Sequence, residues 1–578
     1  MSNEIILIDS PNAVADYPRL ALPLLTAIVN EKGGKASYID LNIRFRDKIV
    51  SRECLNYLES SYLPEILSKI IFDKKLYKKI KMLYNFLSLI KIKDSFMVLE
   101  EVKQMMQARK YHKIFKSEQY SSAVENLFKL QGLISGFFDV IACISIIEDI
   151  NPEFFIYKEI DKLIDSIINK QPEYIGFSVS TMNRPFVKFL SQRLAYKNDF
   201  TKSKIIIGGS DVSYYKEKFL EDWSWIDAAV VHEGDDALPL LLNSNNNQLN
   251  EIPNLIWRKD NKIIINEIKT PKISKVTPKF INTDLYLSDM LPIQASRGCP
   301  WGKCVFCIHW RTYSKQYSQL LPNIVVKQLE ELSNKYKTKR FHFADDEMPA
   351  KLKDKVAEEI IRRKLDLSII AYSRFDENVT KKRLFNWHQA GFKVLEFGME
   401  SASQRILNVL NKGIKVSEAQ RILNDAAEIG ILCKLFMFNN APEENIEDFR
   451  KSIEFLGSNI KAGIIRPFFE ITTKFELLRG SPLFDQIFKK NKNLYFKKTR
   501  LPSGKFIAQA GYITKNDSLY DSLLSGLTNL AQIAKRFGVF LMNDEAISID
   551  LILEDIENKI SSNLVRHTRL IPKSITIE

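Results

Sequence analysis

Short apolar runs alternate with amphipathic stretches along this chain in two separate series. In the first, residues 4–9 (EIILID) form a β-branched run, 23–31 has the period of an apolar helix, and Gly33-Gly34 stops it. Residues 37–41 then predict a second strand. The alternation resumes far downstream. There 174–180 (YIGFSVS) is a buried-type strand, 185–196 a helix, 204–207 a strand running into Gly208-Gly209, and 228–231 a strand before the turn HEGDD. Parallel strands with helical crossovers and glycines at strand C-termini predict a doubly wound α/β sheet, a Rossmann-like domain over residues 1–250. A stretch of helical period, about residues 43–151 and poor in glycine and proline, interrupts it as a helical insertion.

Residues 251–284 read as a linker with a small hairpin in IPNLIWRKDNKIIINE. The second series follows. Its predicted strands are 291–295, 340–343, 368–373, 394–398 and 432–438, with 468–475 as a sixth, and helices at 323–336, 381–390, 401–410 and 446–456 lie between them. Six βα units predict a partial (β/α)6 barrel over 285–489, with its chemistry at the strand C-terminal ends. Residues 490–578 read as mostly helical.

A length of 578 residues, 45% hydrophobic and 27% charged, suits a globular protein of several domains. The longest apolar stretch, 136–147, is broken by Asp139 and too short to span a bilayer, and MSNEIILID lacks the features of a signal peptide. These readings set the expectation of a cytoplasmic protein with no membrane partner. The formal charge of +14 is spread along the chain, so nucleic acid is not an expected partner. Lysine runs at 73–81 and 488–500 read as solvated faces, or as attraction for an anionic ligand or an acidic peptide.

Of six cysteines, Cys299, Cys304 and Cys307 fall within nine residues, in SRGCPWGKCVFCIHW directly after the first barrel strand. Scattered singletons plus one cluster do not make a disulfide framework; clustered thiols point to metal. Three thiolates in a short loop can each bind one iron of a [4Fe–4S] cluster and leave the fourth iron open. The competing reading is zinc held by Cys3His with His309, although zinc ligands usually come in two separated pairs.

The cysteine loop and the segments after later strands resemble the radical S-adenosylmethionine (SAM) superfamily. The loop here is C-x4-C-x2-C, one residue longer than the superfamily's usual first spacing. FADDEMPA, YSRFDE and FGMESASQRILNVLNKG follow the second, third and fourth strands; in FMFNNAPEENIEDF, Asn439-Asn440 replace the usual glycine. The resemblance implies that Phe306 lies near the adenine of SAM. It implies that Glu400 and Ser401 contact the ribose, and that Arg374, Asp345 and Asp346 meet the polar ends of the cofactor. The alternative for Asp345, Asp346 and Ser401 is helix capping. Upstream, YPRLALPLLTAIVNEKGGKASYIDLN, PEYIGFSVSTMN, SKIIIGGSDVS and WIDAAVVHEGDDALPLLL are similar to the cobalamin-binding domain that precedes many such barrels. Ser178, Ser180, Thr181, Gly208, Gly209 and Gly234 would then approach the corrin. DSPNAVADYP has no histidine to place below cobalt, and His232 reads as a turn residue.

The resemblance implies a cobalamin-dependent radical SAM methyltransferase. A 5′-deoxyadenosyl radical would remove a hydrogen from an unactivated carbon of a small-molecule or peptide substrate, such as a natural-product intermediate, and methylcobalamin would deliver the methyl group. Flavodoxin or ferredoxin would supply electrons. Radical cyclisation or rearrangement without methyl transfer, and a non-catalytic metal- or nucleotide-binding regulator, are the competing readings.

Overall fold

The computed structural model describes residues 2–11, 17–49, 51, 155–180, 183–197 and 203–464 apart from 245, 261, 271, 287, 310–315, 440 and 463. It also describes 475, 481–490, 496–500 and 506–510. Most of the 43–151 insertion lies outside the described residues, as do Cys54, Cys143, the lysine run 73–81 and Thr181.

The first sheet contains β1 (Ser2–Asp9), β2 (Lys35–Asp40), β3 (Pro172–Ser178), β4 (Lys204–Gly208), β5 (Ala228–Val230), β6 (Leu255–Lys259) and β7 (Lys262–Ile265). Their order is β2-β1-β3-β4-β5-β6-β7. Strands β2 to β5 run parallel, whereas β6 and β7 are antiparallel. The β-branched interiors of β1 and β4 are buried at Ile5, Ile6, Ile8 and Ile205–Ile207, as strands covered on both faces require. Chain order reverses between β1 and β3, so the loops leaving their C-terminal ends diverge and open a crevice there.

The hairpin expected in a linker instead extends this sheet. Leu255 and Ile256 are wholly buried against β5, and the buried Trp257 indole donates to Asn266 Oδ1 at 3.3 Å. An apolar strand beside the open edge of three-residue β5 has more surface to bury there than in a linker.

The second sheet follows β8 (Leu291–Ile293), then the short antiparallel pair β9 (Ser296–Arg297) and β10 (Ser318–Gln319). It is completed by β11 (Arg340–Phe343), β12 (Ser368–Ser373), β13 (Phe392–Glu400) and β14 (Leu432–Met437). The order β14-β13-β12-β11-β8 is parallel throughout, with helices such as Pro322–Tyr336, Ala350–Arg362 and Val416–Ile429 between strands. Period-2 alternation sorts the side chains. Ile369 and Ala371 of β12 pack outward into the core, and Ile370 and Tyr372 face the barrel lumen, where they stay partly exposed.

Of the expected sixth strand only Phe475 is described; its N–H donates to Asn439 O at 2.7 Å. The described part of the C-terminal region is not all helical. After helix Pro482–Lys490 come two antiparallel strands, β15 (Phe496–Arg500) and β16 (Phe506–Ala510). Among the described residues no helix is long and apolar enough to cross a membrane.

Candidate functional site

One cavity opens at the strand C-terminal ends of the first domain and a larger one at those of the barrel, and they share a seam. The first, about 190 Å³, is mostly apolar, lined by residues such as Leu7, Leu22 and Leu238. Ser178, Gly208, Gly209 and Gly234 line it, joined by His232, Glu233, Asp235 and Arg297. Gly209 stands at φ +103°, and a Cβ there would lie 2.6 Å from Val179 O, so only glycine fits this turn. Ser180 does not line the cavity; its backbone N–H donates to Asn183 Oδ1. His232 is a turn residue at φ +62°, yet it also faces the cavity.

The second cavity, about 610 Å³, brings together Cys299, Cys304, Cys307, Phe306, Asp345, Asp346, Arg374 and Glu400. The loop after β11 clamps the cysteine loop at three points. Asp345, buried, accepts from the backbone N–H of Ala295 and from both the N–H and hydroxyl of Ser296. Asp346 accepts from Gly298 N–H at 3.1 Å and meets His309 Nδ1 at 3.0 Å, while the Cys299 thiol donates to Glu347 Oε2 at 3.2 Å. Burial pushes the Asp345 carboxyl up to about 6 against the pull of these donors.

The segment after β13 grips the same loop from the other side. Val305 N–H donates to Leu410 O, Trp301 Nε1 to Asn411 O, and Asn411 Nδ2 to Lys303 O. The Trp301 ring lies over Gly413, and Arg374 stacks on it with 4.4 Å from Cζ to the ring centre. Arg374 also donates to Lys412 O. Glu400 ends β13 at φ +65°, beside a register shift between Gly398 and Glu400, and accepts from Lys412 Nζ at 2.8 Å. A strained non-glycine residue there turns its carboxylate toward the cavity. Burial depresses Lys412, but the charges of Glu400 and Cys304 outweigh it and hold the ammonium protonated.

Deeper in the lumen, His342 Nε2 meets Glu396 Oε2 at 3.2 Å and Lys434 lies 3.4 Å from Glu396 Oε1. Tyr17, which comes from the first domain, meets His342 Nδ1 at 2.8 Å. Residues 17–20 thus form part of the barrel cavity's wall.

Residues 293–456 match the radical SAM superfamily model, and 141–242 match the B12 binding domain model. The chain carries a B12-binding domain and a radical SAM domain. An uncharacterized methyltransferase of Pyrococcus horikoshii is 28% identical over 309 residues, 50% of this chain and 66% of the relative. The anaerobic magnesium-protoporphyrin IX monomethyl ester cyclase of Cereibacter sphaeroides is 24% identical over 316 residues, 50% of this chain and 51% of the relative. The chain thus spans less than two thirds of the length of these relatives. Among solved structures, the cobalamin-dependent SAM radical enzyme OxsB with aqua-cobalamin bound aligns with TM-score 0.59 and 14% identity. The alignment covers 98% of this chain and 75% of that one. The radical SAM methyltransferase TsrM of Kitasatospora setae aligns with TM-score 0.56 and 14% identity, covering 92% and 89%. At such identity the likeness carries the fold.

The cofactors proper to the two domains are SAM with a [4Fe–4S] cluster, and cobalamin. The residues of the radical SAM barrel fit the cluster. Burial pushes the Cys299 thiol up to about 12, with Glu347 adding to it, and raises Cys304 against Lys412 and Arg374. Thiolates in such surroundings require a strong positive charge beside them, which iron supplies. The B12-binding domain fits too: a mostly apolar crevice with glycines at its rim and a few polar groups, one of them a buried carboxyl oxygen of Glu233 with no hydrogen-bond partner.

Ser401 departs from the sequence expectation. It is wholly buried, pairs with Ser452 Oγ at 3.2 Å, accepts from Ser403 N–H, and does not line the cavity. These bonds tie the turn before helix Gln404–Val409 to helix Ile446–Lys461. Sequence reasoning missed Lys412, Glu347, Arg297 and the Tyr17–His342–Glu396 chain. The first three had a signal, since each adjoins a quoted motif: NKG after FGMES, the acid following Asp345-Asp346, and the arginine two residues before Cys299. Nothing in the sequence signalled that Tyr17 and His342, 325 positions apart, would meet.

Proposed function

We propose that this chain is a cobalamin-dependent radical SAM methyltransferase whose substrate occupies the larger cavity. The observation that carries this reading is the meeting of both sites at one seam. Arg297, two residues before Cys299, lines the B12-domain cavity, and residues 17–20 of that domain line the cavity holding the three cysteines. When bound, the cluster supplies the electron for reductive SAM cleavage and cobalamin supplies the methyl group. The chain's own residues bind and orient. Cys299, Cys304 and Cys307 hold the cluster, Glu400 steadied by Lys412 receives polar groups of SAM, and Arg374 with Phe306 borders them. Asp345, Asp346 and Glu347 act as positioning residues for the cysteine loop. The acceptor is an unactivated carbon of a peptide or natural-product intermediate.

Anaerobic reconstitution with iron, sulfide and hydroxocobalamin, then SAM and dithionite, tests the reading. 5′-Deoxyadenosine and one corrin per chain are expected; without 5′-deoxyadenosine the radical proposal fails. Similarity to the cyclase favours a second reading, radical ring closure without methyl transfer. Methyl-labelled SAM separates the two by whether label enters the product.

A further inference from the structure

The smaller cavity contains a carboxyl oxygen that the protein itself does not satisfy. Glu233 Oε2 is buried without a hydrogen-bond partner, at the C-terminal end of β5 on the cavity wall. The nearby arginine does not account for it. Arg297 gives Nη1 to Asp235 at 2.9 Å and Nε to Gln294 at 2.8 Å, so it reaches Glu233 through its charge and not through a bond. Burial pushes the Glu233 carboxyl up to about 7, with Arg297 and its own backbone N–H pulling down and Asp235 and Asp346 pushing up. A buried acceptor left open is destabilising, and persists where a ligand completes it.

The surroundings choose the ligand group. Asp235 already pairs with Arg297 at 2.9 Å, so that guanidinium is neutralised and offers little pull on the phosphate of the cobalamin nucleotide tail. A neutral primary amide is suited to it, because one N–H can donate to Oε2 without adding charge. The corrin periphery carries such carboxamides.

We propose that Glu233 is a cobalamin-binding residue whose Oε2 accepts a hydrogen bond from a corrin carboxamide. This rests on the cobalamin reading above and adds a residue and a bond to it. The role predicts opposite signs for two measurements on Glu233→Met, which keeps the volume and removes the acceptor. In the cobalamin-free chain the variant should melt at a higher temperature than wild type, because an unmet polar atom has left the interior. In a spectrophotometric titration of the anaerobically reconstituted chain, its hydroxocobalamin Kd should rise about tenfold or more, equivalent to about 1.4 kcal/mol. Glu233→Gln, which retains an acceptor, should fall between the two, and iron per chain should stay at the wild-type level in both. A Met variant that binds hydroxocobalamin within twofold of wild type overturns the assignment. So does one that melts lower and loses iron along with cobalamin, since that is what a structural role gives. If wild type takes up no hydroxocobalamin, the cobalamin reading itself falls and this inference with it.

Discussion

At the scale of single residues, two glycines near the cysteine loop respond to a methyl group in different ways. At Gly413, φ is +65° and a Cβ would sit 2.1 Å from the Trp301 ring, so neither backbone nor ring can yield cheaply. Gly413→Ala should displace Trp301 and the loop it anchors, and iron bound per chain after reconstitution should fall severalfold. At Gly398 the Cβ would meet only Glu400 Oε1 at 2.6 Å and Lys412 Nζ at 2.7 Å, the far ends of flexible side chains. Gly398→Ala should therefore keep its iron and weaken SAM binding, measured by equilibrium dialysis. A third residue has a pH signature. Burial pushes Asp9 up to about 7, opposed by Arg19 and reinforced by Asp40. The folded chain then binds more protons than the unfolded between about pH 4 and 7. The stability this site contributes is full below that window and is lost as pH rises through 7. Asp9→Asn should flatten the trend, gaining on wild type at pH 8 and little at pH 5 in thermal melts; each tenfold change in proton affinity is worth about 1.4 kcal/mol.

At the scale of elements, the loop after β11 is a clamp. Removing Asp345 leaves the N–H groups of Ala295 and Ser296 without their acceptor in the interior, where each unmet group costs about 1–3 kcal/mol, while the Ser296 hydroxyl keeps Glu347 O at 3.2 Å. Asp345→Ala should lower the melting temperature and the iron content together, and Asp345→Asn, an acceptor still, should lose less of both. Elements of this kind were the legible part of the chain. Strands β11 and β12 begin and end where the apolar alternation of 340–343 and 368–373 places them. Strand β13 overran its predicted end by two residues, because the bulge at Glu400 is set by its neighbour β14 and not by local pattern. Ser401 lies outside the cavity for a similar reason. A serine after a strand end can cap a turn or face a ligand, and the helix Ile446–Lys461, through Ser452, decides which. The hairpin after β5 was visible as a hairpin, but its place on the sheet edge depended on a surface no local window contains.

At the scale of the whole molecule, the seam between the domains rests on ionic and hydrogen-bonded contacts as well as apolar ones. Tyr17 reaches His342, Tyr286 donates to Asp40 Oδ2 at 2.5 Å, and Tyr38 accepts from Ile281 N–H. The most buried of these contacts is Arg297–Asp235, with side chains 8% and 5% exposed. Removing one partner of a pair that buried leaves an uncompensated charge in a low-dielectric place, at a cost of about 3–5 kcal/mol, whereas replacing both with apolar residues of similar size is often neutral. Arg297→Met alone should thus strip Asp235 of its counter-charge and loosen the seam, and Arg297→Met with Asp235→Leu should restore much of the loss. Limited proteolysis reads this directly, because a loosened seam exposes the segment between β7 and β8 to cleavage. Faster cutting in the single variant than in the double one is expected. Equal rates in wild type and both variants would mean that the apolar contacts alone hold the two cavities together.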